Sequence, residues 1–489
     1  MASFPSFLTN KKFPAYTTFR ALLRGPLTML KGIVFGLLIA ITAVIFFLLV
    51  TINDHFLTTV PARGGSLTEG VIGAAHFINP ILATTDTDKR LVTLVYGSLM
   101  KAQNDGTITP SLAESYTVSP DGKTYTVTLL PNLKFDDKKP LTSDDVAFTV
   151  EKMQDNSIST QSTYWQMISV DTPDKNTIAF TLPTADTSFL SHLTFGILPK
   201  HIWQTISDQA FQYAKQNILP VGAGPFKVTT VDYSNSIPTS VILARNPYAP
   251  TGTPLLKGFT LNTYANQSDL LNALNAGDVD FSFAANPTAF ATTSIDTSLH
   301  IQAIPNGQTI SIYRSSGDTA LNNPIIVSML NTIIDKNAII AIVQHGYGTP
   351  AGVQQDSTQS TTTKIAPTGF SVAVENDPLL LLAAQTLAQQ LQQHGIPVAI
   401  KAYNQGTFQN ELTTGAVTVF MARNTGVTIP SQYSVVLPLY EESSPYIFST
   451  RTHLTVPNTL AVMTDTEYNT VNDWYTNTDK LWKWFIRKQ

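Results

Sequence analysis

The hydrophobic pattern of this chain has two regimes. From Gly32 to Ile52 (GIVFGLLIAITAVIFFLLVTI) it is apolar on every side for 21 residues, with Thr42 and Thr51 the only polar side chains. At 1.5 Å per residue a helix of that length is about 31 Å long, the thickness of a bilayer core. No other run of 18 apolar residues occurs. After residue 65 the pattern breaks into short alternating or helical stretches. Ser115–Leu129 reads SYTVSPDGKTYTVTL, where Tyr125, Val127 and Leu129 alternate with threonines. That is the period of a half-buried strand, and Pro120-Asp121-Gly122 supplies the turn of a hairpin. ISVDTPDKNTIAFTL predicts a second hairpin, with Pro173-Asp174 in its turn.

Helices announce themselves by their ends. In LTSDDVAFTVEKM, Thr142 and Asp145 have the spacing of a capping box, and Val146, Val150 and Met153 share one face. SDLLNALNAG predicts a helix from Ser268 that stops at Gly277. DPLLLLAAQTLAQQLQQHG has Asp377 as cap, Pro378 in the first turn and Gly395 as terminator. His394 beside that terminus suits the helix dipole. IPVAIKAY, TFQNELTTG and AVTVFM follow as strand, helix and strand, a β-α-β unit that requires part of the sheet to be parallel. Residues 53–65 have neither period and read as a linker. Gln354–Gly369 reads as a polar surface loop, and Gly346–Gly352 as a turn after a helix.

Charge orients the apolar run. The 489 residues carry a net charge of −4, but Lys11, Lys12, Arg20, Arg24 and Lys31 precede the run with no acid among them. Beyond it stand 25 basic and 34 acidic residues, a net of −9. The positive-inside bias places residues 1–31 in the cytoplasm, 32–52 in the membrane as a signal anchor, and 53–489 outside. A cleaved signal peptide is the alternative. Against it, the run exceeds the usual apolar core, about 30 residues precede it, and no A-x-A site follows. The acidic body argues against a nucleic-acid partner.

Candidate chemistry is sparse. There is no cysteine, which excludes disulfides, thiol nucleophiles and Cys-based metal sites. The eight histidines show neither H-x-x-x-H nor H-E-x-x-H spacing, so no metal site and no cofactor is expected. No G-x-S-x-G or S-x-x-K occurs, and the paired acids Asp136-Asp137, Asp144-Asp145 and Glu441-Glu442 sit in turn or cap settings. Nothing argues for an enzyme. Aromatic residues make up 10% of the chain, and aromatics lining a cleft suit reversible binding of a small ligand.

The stretch from Leu91 to Met153 resembles the signature region of solute-binding proteins of peptide/nickel-type ABC importers, extracytoplasmic family 5. The resemblance is carried by Pro110, Leu112-Ala113-Glu114-Ser115, Asp121-Gly122, Tyr125, Phe135-Asp136 and Asp144-Asp145-Val146. GAGPFKV (Gly222 to Val228), LLNALNAGDVDF and the helix around Asp335-Lys336 with the following glycines agree in order. The match covers most of residues 66–440.

The resemblance implies a type II periplasmic-binding-protein-like fold: two α/β lobes with an extra subdomain, here preceded by one transmembrane helix. It implies a first lobe over 66–255 with a subdomain at about 95–200, and a shortened second lobe over 256–437. Residues 438–489 would return to the first lobe and end in a C-terminal helix. It further implies a monomeric ectodomain that captures peptides or other small solutes and delivers them to an ABC permease. Ligand contacts would come from His76, Phe77 and Asn79, from Tyr164 or Trp165, and from the strand end holding Phe420 and Arg423. Peptide binders carry an acid there; here Arg423 stands, and the next acid is Glu441. Arg423 suits an anionic ligand or a structural ion pair. A surface sensor reusing the fold is the alternative function, raised by the shortened second lobe. The tail DWYTNTDKLWKWFIRKQ suits either a membrane interface or packing of Trp474 and Leu481 on the first lobe.

Overall fold

The computed structural model describes residues 28–103, 106–159, 162–250, 252–283, 296–319, 321–352, 369–424, 428–450, 452–454, 468 and 470–482. The chain divides into two compact units, residues 1–61 with 478–489, and Ala62–Asn477. In the first unit, helix α1 (Thr28–Phe56) contains Gly32–Leu49, long and apolar enough to cross a membrane, with no part of that stretch buried. A strand, Leu57–Ala62, follows at once and pairs with the strand Asn477–Trp482. Two expectations fail here. Residues 53–62 of the expected linker are helix and strand, and 477–482 form a strand rather than part of a C-terminal helix. Each strand fixes the other, and no alternating pattern was needed to announce them. Trp484 and Phe485 lie outside the described residues.

The second unit begins with β1 (Ser66–Ile72) and α2 (Asp86–Val95). The subdomain follows: β2 (Ala113–Val118), β3 (Thr124–Leu129), α3 (Ser143–Gln154), β4 (Ser169–Asp174) and β5 (Thr177–Thr181). Its antiparallel sheet has the order β2-β3-β5-β4. Tyr125, Val127 and Leu129 face its core, with Phe180, Phe189 and Trp165. Both hairpins form, although the second turns at Lys175-Asn176, one step past Pro173-Asp174. The Asp145 carboxylate accepts from the Thr142 amide at 2.9 Å and closes the α3 capping box.

The chain then lays down β6 (Phe226–Ser234), β7 (Ile237–Arg245), β8 (Gly258–Tyr264), α4 (Gln267–Ala276) and β9 (Phe281–Ser282). Asn266, not Ser268, caps α4, and Gly277 ends it in the left-handed region. β8 runs parallel to β1 from Gly258↔Ser66 to Tyr264↔Ile72, and Phe281 of β9 pairs with Glu69. Residues 256–283 therefore belong to the first lobe's sheet, which corrects the boundary expected at 255/256.

The second lobe contains the later half of β10 (Leu299–Ser315), α5 (Pro324–Ile333), α6 (Lys336–Val343) and β11 (Gly348–Pro350). β12 (Phe370–Glu375), α7 (Pro378–Gln393), β13 (Val398–Tyr403), α8 (Gln405–Thr414), β14 (Val419–Arg423) and β15 (Tyr433–Ser449) complete it. β13 and β14 flank β12 and both run parallel to it, as a β-α-β unit requires. The polar loop expected at 354–369 lies almost entirely outside the described residues.

One sheet of eleven described strands joins the lobes, in the order β13-β12-β14-β10-β15-β9-β1-β8-β7-β6, with β11 on β15. The passage between lobes is the antiparallel ribbon of β10 and β15. Leu299–Pro305 pair with Ser443–Ser449 on the first-lobe side, and Thr309–Ser315 with Tyr433–Glu441 on the other. The register shifts between Pro305 and Thr309, where the ribbon passes from one lobe to the next. Each lobe keeps its own core. Leu67, Phe259, Phe281 and Trp474 share one; Ile310, Leu380, Leu387 and Leu439 share the other. In the first core Arg90 donates to Glu69 at 2.9 Å, and the Tyr468 hydroxyl donates to the same carboxylate.

Candidate functional site

The site is built around the two ends of α2. At its start, the Thr85 hydroxyl accepts from the Asp88 amide at 3.1 Å. The buried Asp88 carboxylate in turn accepts from the amides of His76 and Phe77, at 2.7 and 3.0 Å. Asn79 is fully buried, accepting from the Ile81 amide and donating to Asn217, both at 2.9 Å. Of the three residues expected to contact ligand here, Asn79 thus holds the segment in place. The surface that this segment contributes is Pro80 and Ala83.

At the other end of α2, Gly222 and Gly224 lie against the backbone of Val95. A Cβ on Gly224 would stand 2.5 Å from the Val95 carbonyl carbon, and one on Gly222 would overlap the Val95 oxygen. The G-A-G-P run is what lets this strand approach the helix end.

Between these supports lies a cavity of about 500 Å³. Its walls come from α2, the segment after it, the 191–196 loop, Gly224-Pro225, and Tyr468 with Asn472 near the end of the chain. Lys89 and Lys101 both line it. Desolvation pulls the Lys101 ammonium below its ordinary pKa, against the attraction of Asp473. Burial, with Asp136 adding to it, pushes the Tyr96 phenol upward, so it lines the cavity as a neutral group. The size fits the range of small-molecule sites.

Tyr164 reaches this cavity through a neighbour. Its ring stacks on His192, a lining residue, at 4.1 Å between centroids, and its hydroxyl donates to Asp186 at 3.1 Å. Trp165 is buried behind it, edge-on to Phe189 and Phe195.

Phe420 and Arg423 sit apart from the cavity lining. Phe420 is buried in the second lobe, stacked on Tyr313 at 4.9 Å and edge-on to Tyr433. Its expected ligand contact is corrected to a core role. Arg423, 22% exposed, donates through Nε to Glu442 at 3.2 Å and through a terminal nitrogen to Asp377 at 3.3 Å. Gln344 also donates to Glu442, at 3.2 Å. Arg423 therefore takes the ion-pair alternative. Its acids arrive from the cap of α7 and from β15, two strands away, which sequence spacing does not reveal. Lys89 and Lys101 were also missed, since no motif marks them. Among the described residues no three His, Asp or Glu gather as a metal site.

Residues 107–370, more than half the chain, match the family model for bacterial extracellular solute-binding proteins, family 5. The oligopeptide-binding protein AppA of Bacillus subtilis is 27% identical over 304 residues, 60% of this chain and 54% of that protein. The glutathione-binding protein GsiB of Salmonella typhi is 25% identical over 278 residues, 56% of this chain and 53% of its own length. The chain thus spans about half the length of the curated relatives it matches. Among solved structures, the substrate-binding protein CtaP of Listeria monocytogenes superposes with a TM-score of 0.62 at 20% identity, covering 85% of this chain and 99% of that one. Bacillus subtilis AppA in complex with a nonapeptide gives 0.57 at 17%, covering 86% and 100%. These structures share the two-lobed type II periplasmic-binding-protein architecture described above.

Proposed function

The chain belongs to the bacterial extracellular solute-binding proteins, family 5, and we propose that it captures peptides or similar small solutes outside the cytoplasm and delivers them to an ABC importer permease. The family is one of binding proteins rather than enzymes. The observation that carries the ligand reading is the cavity of about 500 Å³ against α2. The oligopeptide and glutathione named for its relatives support the peptide class. In this proposal α1 tethers the ectodomain, with the N-terminus in the cytoplasm, and the ectodomain works as a monomer. Solute seats on the first-lobe wall beside His192 and Tyr164, and the β10–β15 ribbon carries the second lobe toward it.

The test is a thermal-shift screen of the full chain in detergent against peptide pools. A ligand at 100 times its Kd stabilises by about 2.7 kcal/mol, a clear rise in Tm. Silence toward peptides, with capture of a surface protein instead, favours the sensor alternative.

A further inference from the structure

The two ends of the chain meet in the smaller of the two compact units, where residues 478–489 join the apolar helix rather than the solute-binding body. The meeting point is the pair of strands Leu57–Ala62 and Asn477–Trp482. A Cβ on Gly64 would stand 3.1 Å from the side-chain nitrogen of Asn477, so Asn477 lies at the Ala62 end of the partner strand. A parallel pair would carry it about 20 Å away, to the Leu57 end. The strands are therefore antiparallel, and Trp482 comes level with Leu57. Leu57 in turn follows α1 without a break. It stands five residues beyond Ile52, the last of the apolar run, and in a helix that is about 7 Å, the depth of a head-group layer.

The end of the chain is chemically unlike the rest. Everything after the apolar run has a net charge of −9, yet its last twelve residues hold Lys480, Lys483, Arg487 and Lys488 against the single acid Asp479. Trp482 and Trp484 stand among those bases. Residues 483–489 lie beyond the described strand, and their chemistry is that of the sequence.

We propose that the C-terminal segment from Lys480 to Lys488 binds anionic phospholipid head groups around the point where α1 leaves the membrane, as a second membrane contact beside the span. The proposal rests on the reading of α1 as a membrane anchor and adds a surface to it. Tryptophan favours the head-group level, where its ring meets acyl carbon and its N–H meets water and ester oxygens. Lysine and arginine gain from anionic head groups only within about a Debye length, roughly 8 Å at physiological ionic strength. Pairing with the strand that leaves the span delivers the bases within that range. It also holds the segment beside the surface at a high effective concentration, so that weak single contacts act together.

The experiment reconstitutes the full chain in lipid nanodiscs of phosphatidylcholine, with and without phosphatidylglycerol, their acyl chains brominated near the head group. Bromine quenches tryptophan on contact. Of the five tryptophans, Trp165, Trp203 and Trp474 are at most 1% exposed, so quenching reports Trp482 and Trp484. Quenching should be about twofold or more stronger with phosphatidylglycerol present, and should vanish when Trp482→Phe and Trp484→Phe are combined. Combining Lys480→Gln, Lys483→Gln, Arg487→Gln and Lys488→Gln, or raising salt to about 1 M, should bring it down to the phosphatidylcholine level. Should the double tryptophan variant loosen the strand pair, Trp484→Phe alone, outside that pair, should still remove part of the quenching. No quenching in discs that carry the chain overturns the proposal and leaves the anchor standing. Equal quenching in both lipids, indifferent to the four Gln substitutions, overturns the anionic-lipid contact. A chain that does not co-elute with the discs overturns the anchor and the proposal with it.

Discussion

Arg423 is read most directly by removing it. Arg423→Met leaves Glu442, 8% exposed, with Gln344 as its remaining side-chain donor, and deprives Asp377 of its cation. The expected loss is about 1–3 kcal/mol, below the usual cost of a broken buried pair because Arg423 and Asp377 are partly in water. A denaturant melt measures it. A variant as stable as the parent but unable to bind solute would instead return Arg423 to a ligand role. Acid provides a second reading of the same node. Desolvation pushes the Asp377 carboxyl up, but the Leu380 amide, Arg423 and the Leu379 amide outweigh it and hold it below its ordinary pKa. The folded value is depressed, so the stabilisation is present above the unfolded value and is lost as pH falls through the folded one. Below about pH 4 the parent's Tm should drop, and in Arg423→Met this part of the drop should flatten.

Among the elements, the contact between α2 and the Gly222–Gly224 segment is the sharpest dependence. Gly222→Ala would drive a methyl into the Val95 carbonyl, and backbone on both sides leaves little room to yield. A loss of about 3 kcal/mol or more is expected, with the cavity wall displaced. By contrast, Thr142→Ala should cost only about 1 kcal/mol, the worth of one helix cap. The contrast explains what was legible in the sequence. The hairpin at Asp121-Gly122, the caps at Thr142 and Asp377, and the stop at Gly277 are local signals, complete within a few residues. The pairing of Arg423 with Glu442 and the joining of β8 to β1 each depend on neighbours in space. Those neighbours are chosen by sheet order and loop path, and no spacing along the chain encodes them. Family motifs filled part of that gap for the lobes but not for the cavity lining.

At the scale of the whole molecule, the absence of cysteine makes orientation directly measurable. Tyr213, 80% exposed, and Lys12, ahead of the apolar run, give one probe on each side of it. In intact cells a membrane-impermeant maleimide should label Tyr213→Cys and not Lys12→Cys until the cells are opened. The reverse pattern would invert the proposed topology, and equal labelling would remove the anchor.

The first lobe is also discontinuous along the chain. Glu69 is joined by Tyr468, 399 residues later, and Phe281 and Phe283 are covered by Trp474. The second lobe, from β10 to β15, is one continuous stretch. A chain whose residues after α1 cross the membrane in the order of synthesis would therefore complete its later lobe before its earlier one. Through that interval the buried acid of the first lobe, and the aromatic rings beside it, wait uncovered for residues not yet made. A chain that stops short of residue 468 lacks the Tyr468 hydroxyl on Glu69 and the Trp474 ring on Phe281 and Phe283, and its first lobe stays incomplete however well the second has folded.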